Sequence, residues 1–257
     1  MSNGGKALGR VWTAALIVIG DEILSGRTQD RNIAQVATWL NVQGIRLNEV
    51  RVVPDIEEAI IGAVNALRTS HDYCFTTGGI GPTHDDITVD AVAKALGVAV
   101  VVHPEARAIL ERYYVDKGGL NEGRLRMARV PEGAALIPNR MSGAPGIRIG
   151  NLFLMAGVPH IAAQMLDALT GQLKGGRPLV SVTIGAFAPE SEVAELLHRA
   201  ERSTEGVAIG SYPFFKDGRV GANFVVRSEN EAVAEQVAGE LSEALESAGF
   251  AAVAGGI

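Results

Sequence analysis

The stretch FTTGGIGPTHDDIT at residues 75–88 sets three glycines, a proline, four threonines and two adjacent aspartates directly behind an apolar run. Glycine inside a strand or helix costs up to about 1 kcal/mol against alanine, and adjacent carboxylates repel each other. The stretch is poor scaffolding and reads as a loop that carries chemistry. Gly78, Gly79 and Gly81 allow backbone N–H groups to approach an anion, and the helix behind them adds its positive N-terminus. Pro82 shapes the exit, and Thr83 or Asp85 is placed to cap that helix. A glycine-rich turn without a ligand is the plain alternative. Two named motifs fail: the loop has no lysine for G-x-x-x-x-G-K-[ST], and G-x-G-x-x-G would need a glycine where His84 stands.

Asp85 and Asp86 sharpen the reading. Like charges ~4 Å apart repel by about 4 kcal/mol at a protein-surface dielectric. Carboxylates beside a bound phosphate therefore call for a cation between them. Mg²⁺ suits this role, because it is commonly held by one or two carboxylates plus substrate phosphates. The alternative is that one of the two aspartates only caps its helix.

Further candidates lie at other loops. GDEILSGRTQDRN (20–32) offers Asp21, Glu22 and Ser25, against an equally good turn-plus-cap reading. Asp55, in VPD, is an N-cap by default but also follows a strand. SGAPG (142–146) and AGVP (156–159) are turn-formers able to line a pocket. His84 is placed for a phosphate contact or a proton shuttle, or is a solvated loop histidine. The five histidines show no pair at metal spacing, Cys74 sits in a strand pattern, and no Ser-His-Asp or Cys-His arrangement is evident.

The elements that must position these residues follow from periodicity. WTAALIVIG (12–20) is the near-continuous apolar run of a central parallel strand. Residues 30–44 place Ile33, Val36, Ala37 and Leu40 at helical spacing, with Gly44 as a stop. IRLNEVRVV is a strand, and 55–70 an amphipathic helix opened by Asp55. DYCFTT, DITVDAVAKALG and VAVVVH read as strand, helix and strand. This alternation means βαβ units on a parallel sheet. Residues 104–130 are helical with a break at GGLNEG, 133–146 is a loop, and 147–159 is a hairpin leading into a closing helix at 160–173. KGGRP (174–178) is the clearest linker. Beyond it the pattern becomes βαββα, a small α+β unit. The expected domains are a tail at 1–10, an α/β domain at 11–174 and a smaller α+β domain at 178–257.

Composition bounds the rest. The 257 residues are 47% hydrophobic and 20% charged, which suffices for a substantial core. A net charge of −6 without a basic stripe argues against nucleic acid. A single cysteine forbids an internal disulfide and fits a reducing cytoplasm. No apolar run is long enough for a membrane helix, so a soluble, cytoplasmic protein is expected.

TTGGIGPTHDDIT followed by DAVAKALG resembles the signature of the MoaB/Mog molybdopterin-binding superfamily. The likeness extends over IGDEILSG, VPD, SGAPG and AGVP, about residues 14–173, and is greatest to the CinA N-terminal domain and the equivalent domain of FAD synthases. IGSYPFF and GANFVVRS resemble the small domain that follows in CinA-like proteins, and no CinA-type deamidase domain is expected. The resemblance implies a three-layer α/β fold that binds a pterin or an ADP-containing dinucleotide at the sheet edge. It implies ligand contacts at Gly20, Asp21, Glu22, Ser25 and Gly26, at Thr77, Gly78, Gly79, Gly81, Pro82, Thr83, His84 and Thr88, and at Gly143, Pro145 and Gly146. It also implies catalytic roles for Asp86, Asp55 and Asp85, with Asp86 and Asp85 on a divalent metal. The implied activity is a metal-dependent pyrophosphatase acting on ADP-ribose or FAD. A non-catalytic pterin or nucleotide carrier and a molybdopterin adenylyltransferase are the alternatives. A homo-oligomer, dimer or trimer, is expected, with no nucleic-acid or membrane partner. One departure is Met155-Ala156-Gly157-Val158-Pro159 where the family has L-P-G-V-P, which bears on the far side of the pocket.

Overall fold

The computed structural model describes residues 10–257, so the tail expected at 1–10 lies outside the described residues except for Arg10. Arg10 is tied down: it pairs with Asp72 and lies 4.1 Å over the Trp12 ring. The chain divides into two units, one reaching Gly176 and the other running Arg177–Ile257.

The N-terminal unit is built on a six-stranded sheet. β1 (Trp12–Ile19) is buried along nearly its whole length, because the sheet covers both of its edges and helices cover both of its faces. α1 (Asp21–Leu24) is one short turn, followed by α2 (Asn32–Val42) and β2 (Ile45–Val53). α3 (Glu57–Ser70) leads to β3 (Tyr73–Thr77), and α4 (Thr88–Leu96) follows the glycine loop. β4 (Val100–Val102), α5 (Pro104–Tyr114), α6 (Glu122–Arg126) and β5 (Arg129–Pro131) form an excursion. β6 (Ala135–Ile137), β7 (Gly146–Ile149), β8 (Leu152–Met155) and α7 (Pro159–Leu169) complete the unit. The sheet order is β2-β1-β3-β8-β7-β6. The first four strands run parallel, and β7 is antiparallel to both of its neighbours, β8 and β6.

Strand alternation divides the core into two layers. Ala15, Ile17, Cys74 and Leu154 face Ile60, Val64 and Val92 of α3 and α4. Leu16, Val18, Phe75 and Phe153 face Val36 and Leu40 of α2 and Met165 and Leu166 of α7. Phe75 and Phe153 stack at 4.8 Å in that second layer. The crossover from β1 to β2 thus lies on one face and that from β2 to β3 on the other, with β1 between the two partners. This is the strand-order switch at which open α/β sheets leave a crevice beyond their carboxyl ends.

Three sequence expectations need correction. The loop read at 133–146 contains β6, whose three residues are too few for periodicity to declare. VAVVVH does not join the main sheet; β4 pairs antiparallel with β5 in a separate two-stranded ladder. The C-terminal unit contains β9 (Val180–Ala186), α8 (Glu190–Ser203), β10 (Val207–Lys216), β11 (Arg219–Ser228), α9 (Glu231–Ser247) and a last strand β12 (Ala252–Ala254), so it is βαββαβ and not βαββα. Its sheet is antiparallel in order β10-β11-β9-β12.

Because Phe153 is fully buried and stacked, truncating it to alanine should cost about 3–5 kcal/mol. Urea unfolding would show this as a lower midpoint at an unchanged slope.

Candidate functional site

Four strands end on the same side of the sheet, and the residues just past those ends enclose a cavity of about 570 Å³. Gly20 follows β1, Asp55 follows β2, Gly78 follows β3 and Ala156 follows β8, and all four line it. The backbone extends the ladder by one step at two of these points: Gly20 N–H donates to Val53 O at 3.2 Å, and Gly78 N–H to Met155 O at 3.1 Å.

The glycine loop is shaped by close contacts. Gly78 and Gly79 have φ of 102° and 67°, in the left-handed region. A Cβ on Gly78 would lie 2.2 Å from Ile19 O, and one on Gly79 would lie 2.1 Å from Thr88 Oγ1. Thr88 closes the loop from the other side, its N–H donating to Gly79 O and its hydroxyl to Gly78 O, each at 3.0 Å. Among the described residues no acceptor is found for the N–H groups of Ile80 and Gly81. Both residues line the cavity.

The acidic side chains are held by neighbours, not by helix ends. α3 and α4 start at Ile56 and Ile87 without side-chain caps, which corrects the capping roles expected of Asp55, Thr83 and Asp85. Asp55 Oδ2 instead accepts from Asp21 N–H at 3.0 Å, tying the β2 end to the β1 end. Asp86 Oδ2 accepts from Thr83 N–H at 2.7 Å and from the Thr83 hydroxyl at 2.5 Å. The Asp86 carboxylate rests against Gly81, where a Cβ would come within 2.7 Å of it. Desolvation raises the Asp55 carboxyl above its ordinary value; the Asp21 N–H opposes this, and the charges of Asp21, Glu22 and Asp85 add to it.

Glu22, Asp55, Asp85 and Asp86 all line the cavity, whereas no Lys, Arg or His among the described residues does. The lining also includes the apolar side chains of Met127, Ala144, Val158, Ile161 and Met165 and the ring of Tyr114. The cavity therefore combines polar groups suited to an anion with apolar surface suited to a flat ring. Among the described residues no three His, Cys, Asp or Glu side chains come together as an ion cage. Hard carboxylate oxygens fit Mg²⁺, but only one or two at a time, with the remaining ligands left to a phosphate.

The structure brings Gly20, Glu22, Asp55, Gly78, Gly79, Gly81, Pro82, Asp85 and Asp86 to this cavity. Asp21 contributes its backbone to Asp55, and the Ser25 hydroxyl donates to Glu22 O. Gly26, Thr77, Thr83, His84 and Thr88 do not line it; Thr77 and Thr88 are buried and His84 is exposed. Gly143 and Pro145 line a separate cleft with His103 and Arg140, and Gly146 packs inside β7. Tyr114 and Met127 escaped sequence reasoning, because they reach the cavity from the α5–α6 excursion and carry no local pattern.

The pH dependence of stability follows from Asp55. Its folded-state pKa is raised, so the fold gains most from this group when it is protonated and loses that gain as pH rises through the raised value. Asp55→Asn keeps an acceptor for the Asp21 N–H and removes the charge. Its melting temperature should exceed the parent's at pH 8, and the difference should vanish below the unfolded carboxyl value of about 3.9.

Two family descriptions divide the chain. Residues 15–175 match the probable molybdopterin binding domain, and 178–253 match the middle domain of FAD synthase. A protein of Pyrobaculum calidifontis is 34% identical over 212 residues, covering 78% of this chain and 80% of that protein. A CinA-like protein of Citrifermentans bemidjiense is 38% identical over 196 residues, 72% of this chain, but the chain spans only 47% of its length. Among solved structures, the protein CinA of unknown function from Thermoplasma acidophilum is similar over 63% of this chain and 98% of its own, at 31% identity and a TM-score of 0.59. With its crevice-forming domain matched along its whole length and its second unit matched as well, the chain belongs to the molybdopterin-binding domain family, as a CinA-like member.

Proposed function

We propose that the N-terminal cavity binds an ADP-containing dinucleotide, such as ADP-ribose or FAD, and hydrolyses its diphosphate linkage with a divalent metal. One observation carries the reading: four carboxylates and a set of backbone N–H donors share a cavity to which no cationic side chain among the described residues contributes. Backbone donors favour a phosphate, carboxylates oppose one, and both are served when a cation enters with the ligand.

In this reading the N–H groups of Ile80 and Gly81 hold phosphate oxygens, and the apolar lining takes the ring of one nucleotide half. Asp86, fixed by Thr83, and Asp85 hold the metal. When bound, that ion neutralises charge developing on the phosphate oxygens and lowers the pKa of a coordinated water. Asp55 faces the same space, and its raised proton affinity suits it to accept a proton from the attacking water. The water oxygen bonds to one phosphorus as the bridging P–O bond breaks, and the bridging oxygen leaves on the other phosphate. ADP-ribose would yield AMP and ribose 5-phosphate; FAD would yield AMP and FMN.

A second reading is a pterin or nucleotide carrier without turnover. It is favoured by the absence of an ion cage among the described residues and by the family's molybdopterin-binding description. The two separate on one assay. The protein incubated with ADP-ribose or FAD should release AMP with Mg²⁺ or Mn²⁺ and none in chelator, and Asp86→Asn should lose about 100-fold or more. Tight binding without AMP release under any divalent metal would select the carrier, and an Asp86→Asn variant as active as the parent would remove the metal assignment.

A further inference from the structure

The C-terminal unit covers one face of its sheet and leaves the other to different residues. Ile184, Ala186, Phe224 and Val226 pack under α8 and α9 through Val193, Val237 and Leu241. Alternation sends Tyr212 and Phe214 of β10 and Arg219, Asn223 and Arg227 of β11 to the opposite face. Strand side chains ordinarily stand away from a sheet. Here two rings lie along it, because glycines leave room beneath them. A Cβ on Gly210 would meet the Tyr212 ring at 3.0 Å, and one on Gly221 would meet the Phe214 ring at 2.5 Å.

The cations are arranged around these rings. Arg227 donates to the Tyr212 hydroxyl, and its guanidinium carbon is 5.7 Å from the ring centre. Tyr212 nonetheless keeps 47% of its surface exposed. Arg219 lies 3.9 Å over Phe187, which meets Phe214 edge to face. Asn223, nearer the sheet centre, is taken by the main chain of Ile257 in both directions, at 2.9 and 3.3 Å. Charge is segregated as well. Strands β9 to β12 contain no Asp or Glu, whereas α8 and α9 carry Glu190, Glu192, Glu195 and Glu201 and a further five glutamates. The aromatic face is thus the cationic one in a chain of net charge −6.

We propose that this face is a second ligand site, for a nucleotide whose base stacks on Tyr212 while its phosphate meets Arg227. Exposed sheet aromatics are a sequence-tolerant stacking surface, and the neighbouring arginine supplies the phosphate contact. A free nucleotide is the ligand that fits, because a chain of net charge −6 offers no basic stripe for the phosphates of a strand.

The site belongs to the C-terminal unit and shares no residue with the N-terminal cavity, and the experiment tests it without metal. Calorimetric titration of the full chain in chelator, with AMP and with a ten-residue oligouridylate, reads binding that needs no metal. AMP should bind, and added salt should weaken it. Tyr212→Ala and Arg227→Gln should each lose about tenfold or more. Tyr212→Phe, which keeps the stacking ring, should bind as the parent does. The proposal is overturned if AMP does not bind, if oligouridylate binds much more tightly than AMP, or if AMP binding survives both Tyr212→Ala and Arg227→Gln. It is also overturned if Tyr212→Ala changes only melting temperature, or if that variant abolishes self-association in sedimentation while leaving nucleotide binding intact.

Discussion

Phosphate and carboxylate cannot share a small cavity without positive charge between them. At ~4 Å and a surface-like dielectric each like-charged pair costs about 4 kcal/mol, and this cavity gathers Glu22, Asp55, Asp85 and Asp86 around backbone donors. The protein supplies no cationic side chain there among its described residues. The raised Asp55 carboxyl registers the same crowding, through burial first and the charges of Asp21, Glu22 and Asp85 after it. Other features of the N-terminal unit serve to hold these groups together despite their repulsion.

They are held by backbone geometry. Parallel β1, β2, β3 and β8 bring four chain turns to one edge, and hydrogen bonds from Gly20 to Val53 and from Gly78 to Met155 fix those turns to each other. Thr88 pins the glycine loop, and Thr83 pins Asp86. The loop glycines serve close packing as well as anion access: at Gly79 the obstacle to a side chain is Thr88 itself. Rigidity of this kind places acidic groups where a loosely held loop would let them swing apart.

Much of this was legible in the sequence, and the exceptions have physical reasons. β1 announces itself because burial on both faces demands an unbroken apolar run. The glycine loop announces itself because its composition is costly anywhere else. Asp55 was visible as an acidic residue at a strand end, but its role as a cap was not the one adopted: the Asp21 N–H across the sheet edge competes with the helix for the same carboxylate. Short strands such as β6 and β12 are too brief for alternation to show. Tyr114 and Met127 reach the cavity only through the tertiary path of α5 and α6, which no local spacing encodes.

The central claim is that cation and diphosphate enter this cavity together, each lacking a complete site alone. Calorimetric titration of Mn²⁺ into the protein, with and without ADP, measures that coupling directly. The account predicts weak Mn²⁺ binding alone, tighter binding with ADP, and an equal enhancement of ADP affinity by Mn²⁺, as linkage requires. In a Tyr212→Ala background, which removes the second nucleotide site, ADP binding as strong in chelator as in Mn²⁺ would contradict it.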